Sequence, residues 1–139
     1  MTIEPRTYET SIATLTRVRP DHVEIHYHPG IVFSNKAVAE VQEMRRKIMG
    51  RTPYSTLTII PEDVDFELST MQQDHTAADR TESQVVATAV VTSANMIEML
   101  IKLYFSYYPQ MQRILITDKE KEARAWLNTQ MEEVARTGS

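Results

Sequence analysis

His26 and His28 stand two residues apart in a run that alternates apolar and polar side chains. On a β-strand that spacing puts both imidazoles on one face, at a separation a metal ion bridges. Val23, Ile25 and Tyr27 are the core-facing set of the same run, so His22, Glu24, His26 and His28 read as the solvated face of a hairpin. No third ligand is identifiable, and no metal site is assigned there. A second cluster, Glu62, Asp63, Asp65 and Glu67, follows a β-branched run. Paired carboxylates at a strand end hold Mg²⁺ or act as acid and base, and ligands of open α/β sheets gather at the carboxyl ends of strands. Nothing Gly-rich cradles a phosphate beside them and no basic clamp accompanies them, which favours a solvated acidic loop. Asp74-His75 with Ser69 or Ser83 has the residue types of a hydrolase triad. Adjacent acid and base on a helix point in different directions, however, and no Gly-x-Ser-x-Gly elbow is present. With glycine only at 30, 50 and 138, no dinucleotide or Walker loop exists, and the absence of cysteine removes thiolate catalysis and cysteine-based metal sites. No catalytic residue, metal or cofactor is assigned, and the chain reads as a non-enzyme.

The remaining functional signal is apolar. Ile97, Leu100, Ile101, Tyr104 and Tyr108 supply the arc of roughly 100° that a helix packed on a sheet requires. Met96, Met99, Leu103 and Tyr107 are then surplus, and Met and aromatic residues are enriched at protein interfaces. These four form the candidate interface, for a homodimer or a protein partner, with simple burial as the competing reading.

The elements that must position these groups follow from periodicity. Ile12 to Val18 and Val23 to Tyr27 alternate on either side of Arg19-Pro20-Asp21-His22, which predicts a β-hairpin. Ser34 or Asn35 caps a helix whose stripe is Ala37, Val41, Met44 and Ile48, ending at Gly50 with Arg45, Arg46 and Lys47 in its last turn. Ser55–Ile60 and Val85–Val91 are continuous β-branched runs, the mark of strands covered on both faces. Residues 70–83 read as a short, weakly anchored helix. Thr92 or Ser93 caps a helix over 94–108, which Pro109 stops. Arg113–Ile116 forms a strand, and Thr117-Asp118-Lys119-Glu120 reads as a capping box before a last helix with Ala123, Leu127, Met131 and Val134 inward, Trp126 on its flank and 136–139 frayed. Alternating strands and helices predict an α/β domain with parallel pairing through right-handed crossovers.

This order, with its opening hairpin and its closing Arg113-Ile-Leu-Ile-Thr-Asp-Lys-Glu-Lys-Glu-Ala-Arg-Ala-Trp-Leu127, resembles the STAS or SpoIIAA-like fold of anti-sigma-factor antagonists. Within that group it is similar to bacterial proteins of unassigned function whose last helix begins Thr-Asp-Glu-Glu-Glu-Ala-x-x-Trp-Leu. The resemblance spans about residues 12–134 and implies a mixed five-stranded sheet opening with a β-hairpin, helices packed on it, and an interaction or regulatory role. In the antagonists an Asp-Ser-(Ser/Ala)-Gly motif before the second helix carries a phosphorylated serine. Here the matching stretch is Phe66-Glu67-Leu68-Ser69-Thr70-Met71, with Leu in the Asp position and no Gly. Ser69 alone carries over as a phosphorylation candidate, crowded by the acidic residues before it. A lipid-carrying branch of the fold has longer chains than this one.

Composition sets the remaining bounds. One domain is the default for 139 residues, taken as 1–139 with an ordered core over about 12–134. A net charge of −4 with scattered Lys and Arg lacks the basic footprint of nucleic-acid binding. No apolar run is long enough to insert in a membrane, and the first six residues show no apolar leader, so a cytoplasmic address is expected. The leading function is a non-enzymatic protein-interaction or regulatory module. The alternative is a binder of an apolar or nucleotide small molecule, or a metal-assisted enzyme using residues 62–67.

Overall fold

The computed structural model describes residues 6–75, 84–108 and 113–137. Strands β1 (Arg6–Glu9), β2 (Ala13–Arg19) and β3 (His22–Tyr27) form an antiparallel meander. The short β4 (Val32–Phe33) leads into α1 (Asn35–Met49), then β5 (Tyr54–Ile59), the short β6 (Asp65–Phe66) and a 3-10 turn over Leu68–Gln72. β7 (Val85–Val91), α2 (Asn95–Tyr107), β8 (Arg113–Thr117) and α3 (Glu120–Thr137) complete the chain. The main sheet has six strands in the order β1-β2-β3-β5-β7-β8, with β3, β5, β7 and β8 parallel. The two β-branched runs are its central strands, as their composition requires.

The five-strand expectation is corrected by β1. Arg6-Thr7-Tyr8-Glu9 is an exposed edge with only Tyr8 partly covered, so it carries no apolar period to read, and its charges suit an edge that must not pair further. Order therefore begins before residue 12, and at the other end α3 stays helical to Thr137, past the expected fraying point. The segment expected to form a helix over 70–83 is a 3-10 turn where it is described; residues 76–83, Ser83 among them, and Pro109 lie outside the described residues.

Among the described residues, two helices cover one face of the sheet and one covers the other. Against α1 pack Ala13, Leu15 and Ile25, and against α2 pack Val90 and Ile116, with Tyr27 and Phe33 shared between both groups. On the opposite face Leu57, Ala87, Ala89 and Val91 pack against Ala123 and Leu127 of α3. Local chemistry sets the helix ends. Ser34 Oγ accepts from Ala37 N at 3.1 Å, and Gly50, at φ +64°, donates to Arg46 O at 2.9 Å. α2 has no side-chain cap of its own; Thr92 Oγ1 instead accepts from Ala94 N at 3.2 Å. The expected box at α3 is not formed as drawn: Thr117 Oγ1 accepts from Lys119 N at 3.1 Å, while the Glu120 carboxylate accepts from Arg124 at 3.0 Å. None of the helices among the described residues is long and apolar enough to cross a membrane.

Candidate functional site

Between the sheet and the two helices on its α1–α2 face lies a cavity of about 210 Å³. Its sheet wall is built by register. Thr56 and Thr58 of β5 alternate with Leu57, so when Leu57 faces α3 both threonines face the cavity, where Thr56 stands beside Thr88 of β7. Its helix wall is the inner face of α2, Ile97, Leu100, Ile101 and Tyr104, and Phe33 and Phe66 also line it. Phe66 arrives there because β6 pairs in parallel with β4, tied by Asp65 N to Ile31 O and Glu67 N to Phe33 O, both 2.9 Å. The acidic loop is therefore a strap. Val64 and Phe66 pack inward, while Glu62, Asp63, Asp65 and Glu67 stay in solvent, Glu62 accepting from Ser93 Oγ at 2.5 Å. Among the described residues no group of three His, Asp or Glu has the geometry to hold a metal ion.

The polar part of the cavity wall was not anticipated. Arg45, expected to complement the helix dipole in solvent, is buried and turned inward: its Nη1 donates to Tyr54 Oη at 2.5 Å, and its Nε and Nη2 to Gln42 Oε1 at 3.1 and 2.6 Å. Thr56 is 2% exposed and its Oγ1 has no hydrogen-bond partner. His75 Nε2 lies 3.1 Å from Thr70 O. A carbonyl only accepts, so Nε2 carries the proton and Nδ1 presents a lone pair, buried and unpartnered. Burial pushes the His75 imidazole below its usual value, so the ring is held neutral. His75 is fixed by α2: its backbone N–H donates to Tyr104 Oη at 2.7 Å, that hydroxyl donates to Gln73 O at 2.8 Å, and the two rings stack at 6.0 Å. Burial likewise pushes the Tyr27 phenol up to about 12. The sequence signal for this wall was the pair of threonines at strand period within an otherwise apolar run.

The strand face opposite the cavity holds a second constellation. His22, expected in solvent, is buried. His22 Nδ1 and Ser55 Oγ share a hydrogen bond of 2.7 Å, and His22 Nε2 stands 3.6 Å from Glu24 Oε2. Glu24 also receives Arg124 Nη1 at 2.6 Å and Nη2 at 3.3 Å, with His26 Nε2 at 3.2 Å. His22 first, then Arg124 and His26, hold the Glu24 carboxyl well below the usual carboxylate range against its burial. The Ser-His-Glu order has the appearance of a hydrolase, but Ser55 is 1% exposed and alternates with Thr56, on the strand face turned away from the cavity. Arg124 ties α3 to the sheet through this network. His28 lies beyond the strand and hydrogen-bonds Thr14, the register partner of His26, at 2.9 Å.

Ser69 is exposed in the five-residue 3-10 turn, away from any helix N-terminus long enough to attract phosphate, and neither it nor Asp74 joins His75 in a triad. Met96, Met99, Leu103 and Tyr107 are 63, 61, 44 and 66% exposed. Those values decide between burial and surface for the surplus face of α2: it is surface.

No protein-family profile and no curated protein matches the sequence. The fold does match a solved structure. A crystal structure of an uncharacterized protein of the DUF3478 family from Shewanella loihica PV-4, described as SpoIIAA-like, superposes with a TM-score of 0.55 over 89% of this chain and 92% of that chain, at 9% identity. The chain thus has the SpoIIAA-like α/β fold that its element order and last helix led one to expect. At that identity the likeness establishes fold alone.

Proposed function

We propose that this protein is a non-enzymatic binding module that holds a small molecule between its sheet and the helices α1 and α2. The observation that carries the reading is the 210 Å³ cavity whose wall contains a buried hydroxyl and a buried imidazole nitrogen without partners. Enclosed spaces with predominantly apolar walls and a few convergent polar groups are the usual form of a ligand site. Buried polar atoms are otherwise almost always satisfied, so two unpartnered ones in the same wall point to a group that arrives from outside. The Ser55-His22-Glu24 chain does not line the cavity, which supports binding over catalysis.

A thermal-shift screen of apolar ring compounds, nucleotides, lipids and divalent ions tests the reading, because a ligand that binds only the folded state raises stability by mass action. Ring compounds should raise the melting temperature of the wild type and not of Thr58→Phe, which fills the cavity. A stabilising divalent ion with no response to any ring compound would return the weight to residues 62–67. A second reading is favoured by the exposed face of α2. Met96, Met99, Leu103 and Tyr107 make an apolar patch of the kind that monomers rarely keep, which fits a homodimer or a protein partner. Size-exclusion chromatography reads this directly: a wild-type dimer that Met99→Glu with Leu103→Glu converts to a folded monomer supports it, and a wild-type monomer removes the homodimer.

A further inference from the structure

We infer that the cavity is built for an uncharged, flat molecule of one or two fused rings that carries a hydroxyl or N–H donor, held by His75 Nδ1 and Thr56 Oγ1. The inference rests on the reading of the cavity as a ligand site and goes further in naming the chemistry of its occupant.

Size comes first. An engineered dry cavity of ~150 Å³ admits benzene. The space here, about 210 Å³, takes a somewhat larger ring system. Shape follows from the walls: Tyr27, Phe33, Phe66, Tyr104 and Phe105 line the space, and Tyr27 meets Phe33 edge to face at 4.9 Å. Aromatic walls pair best with a flat ring, offset or edge-on.

Polarity is set by the two atoms left over. The His75 lone pair needs a donor, because its Nε2–H is already given to Thr70 O. The Thr56 hydroxyl both donates and accepts, so one ligand hydroxyl satisfies either atom. Charge is excluded on three counts. Burial biases two titratable groups of the wall, His75 and Tyr27, to their neutral forms. Among the described residues, the one cation lining the space, Arg45, is engaged by Gln42 and Tyr54. A carboxylate would place its oxygens against the Nδ1 lone pair, where repulsion replaces a hydrogen bond. A plain hydrocarbon would fit the walls but leave both polar atoms dry and unmade.

Isothermal titration of the full chain at pH 7.5 with 2-naphthol, naphthalene and 2-naphthoate tests the inference. The expected result is a dissociation constant for 2-naphthol about tenfold below that of naphthalene, one lost hydrogen bond's worth, with 2-naphthoate weaker still. Thr56→Val keeps the shape of the side chain, and His75→Phe keeps a ring against Tyr104. Either substitution should narrow the naphthol-to-naphthalene preference. Equal binding of all three probes, tighter binding of 2-naphthoate, or an unchanged preference in both variants would overturn the ligand chemistry and leave the cavity as a site. Binding of none of the three would overturn the inference and the proposed function together.

Discussion

Thr56 and Glu24 lie on neighbouring strands and show opposite uses of a buried polar group. The Thr56 hydroxyl lacks a partner, and an unsatisfied buried group costs ~1–3 kcal/mol. Thr56→Val should therefore raise stability without ligand, by up to ~1 kcal/mol in urea unfolding, while weakening ring binding. A lower stability for the variant would mean that the hydroxyl is satisfied in the free protein. Glu24 is the converse, a carboxylate held by His22, Arg124 and His26. Its folded-state value is depressed, so its stabilisation is complete above the unfolded value of about 4.3 and is lost as pH falls below that. Glu24→Gln should cost about 1–2 kcal/mol at pH 7, discounted because the Arg124 partner is 42% exposed, and the difference from wild type should shrink toward pH 3. A difference independent of pH would contradict the ionic account. Neither role could be read from sequence. His22 and Glu24 alternate with apolar residues like any solvated strand face, and that pattern does not tell the buried His22 from the exposed His26.

At the scale of elements, strand alternation and helix stripes were legible because burial on one face leaves a period in the sequence. The Val85–Val91 run and the Ala123 and Leu127 stripe needed nothing else. β1 was not legible because an edge strand facing solvent carries no such period, and the strap at 62–67 was not because its partner, β4, is two residues long. α2 was half legible: the surplus of apolar residues was counted correctly, but what its inner face covers required the cavity behind it. The outer face gives a direct prediction. Met99→Glu with Leu103→Glu should keep the far-UV circular dichroism of the wild type and shift stability by no more than ~0.5 kcal/mol per site in the monomer, the usual range for surface changes. Loss of the helical signal would show that these side chains are core.

For the whole molecule, the two faces of one sheet are packed to different standards. The α3 face is filled: Leu57 is 0% exposed under Ala123 and Leu127, and Leu57→Ala should cost ~2–5 kcal/mol in chemical denaturation. The α1–α2 face contains the cavity, so Thr58→Phe should cost less than the ~1–3 kcal/mol typical of overpacking a filled core. Equal penalties for enlarging both faces, tested with Ala89→Phe beneath α3, would show that the cavity is no softer than the core. The location of a bound ring decides the account most directly, because α2 is apolar on both sides and a ring compound has two places to go. Isotope-filtered nuclear Overhauser measurements on methyl-labelled protein with 2-naphthol separate them. The account predicts contacts from the naphthol ring to the methyl groups of Thr56, Ile97, Leu100 and Ile101, which line the cavity. Contacts confined to Met96, Met99 and Leu103 would place the molecule on the outer surface and contradict it.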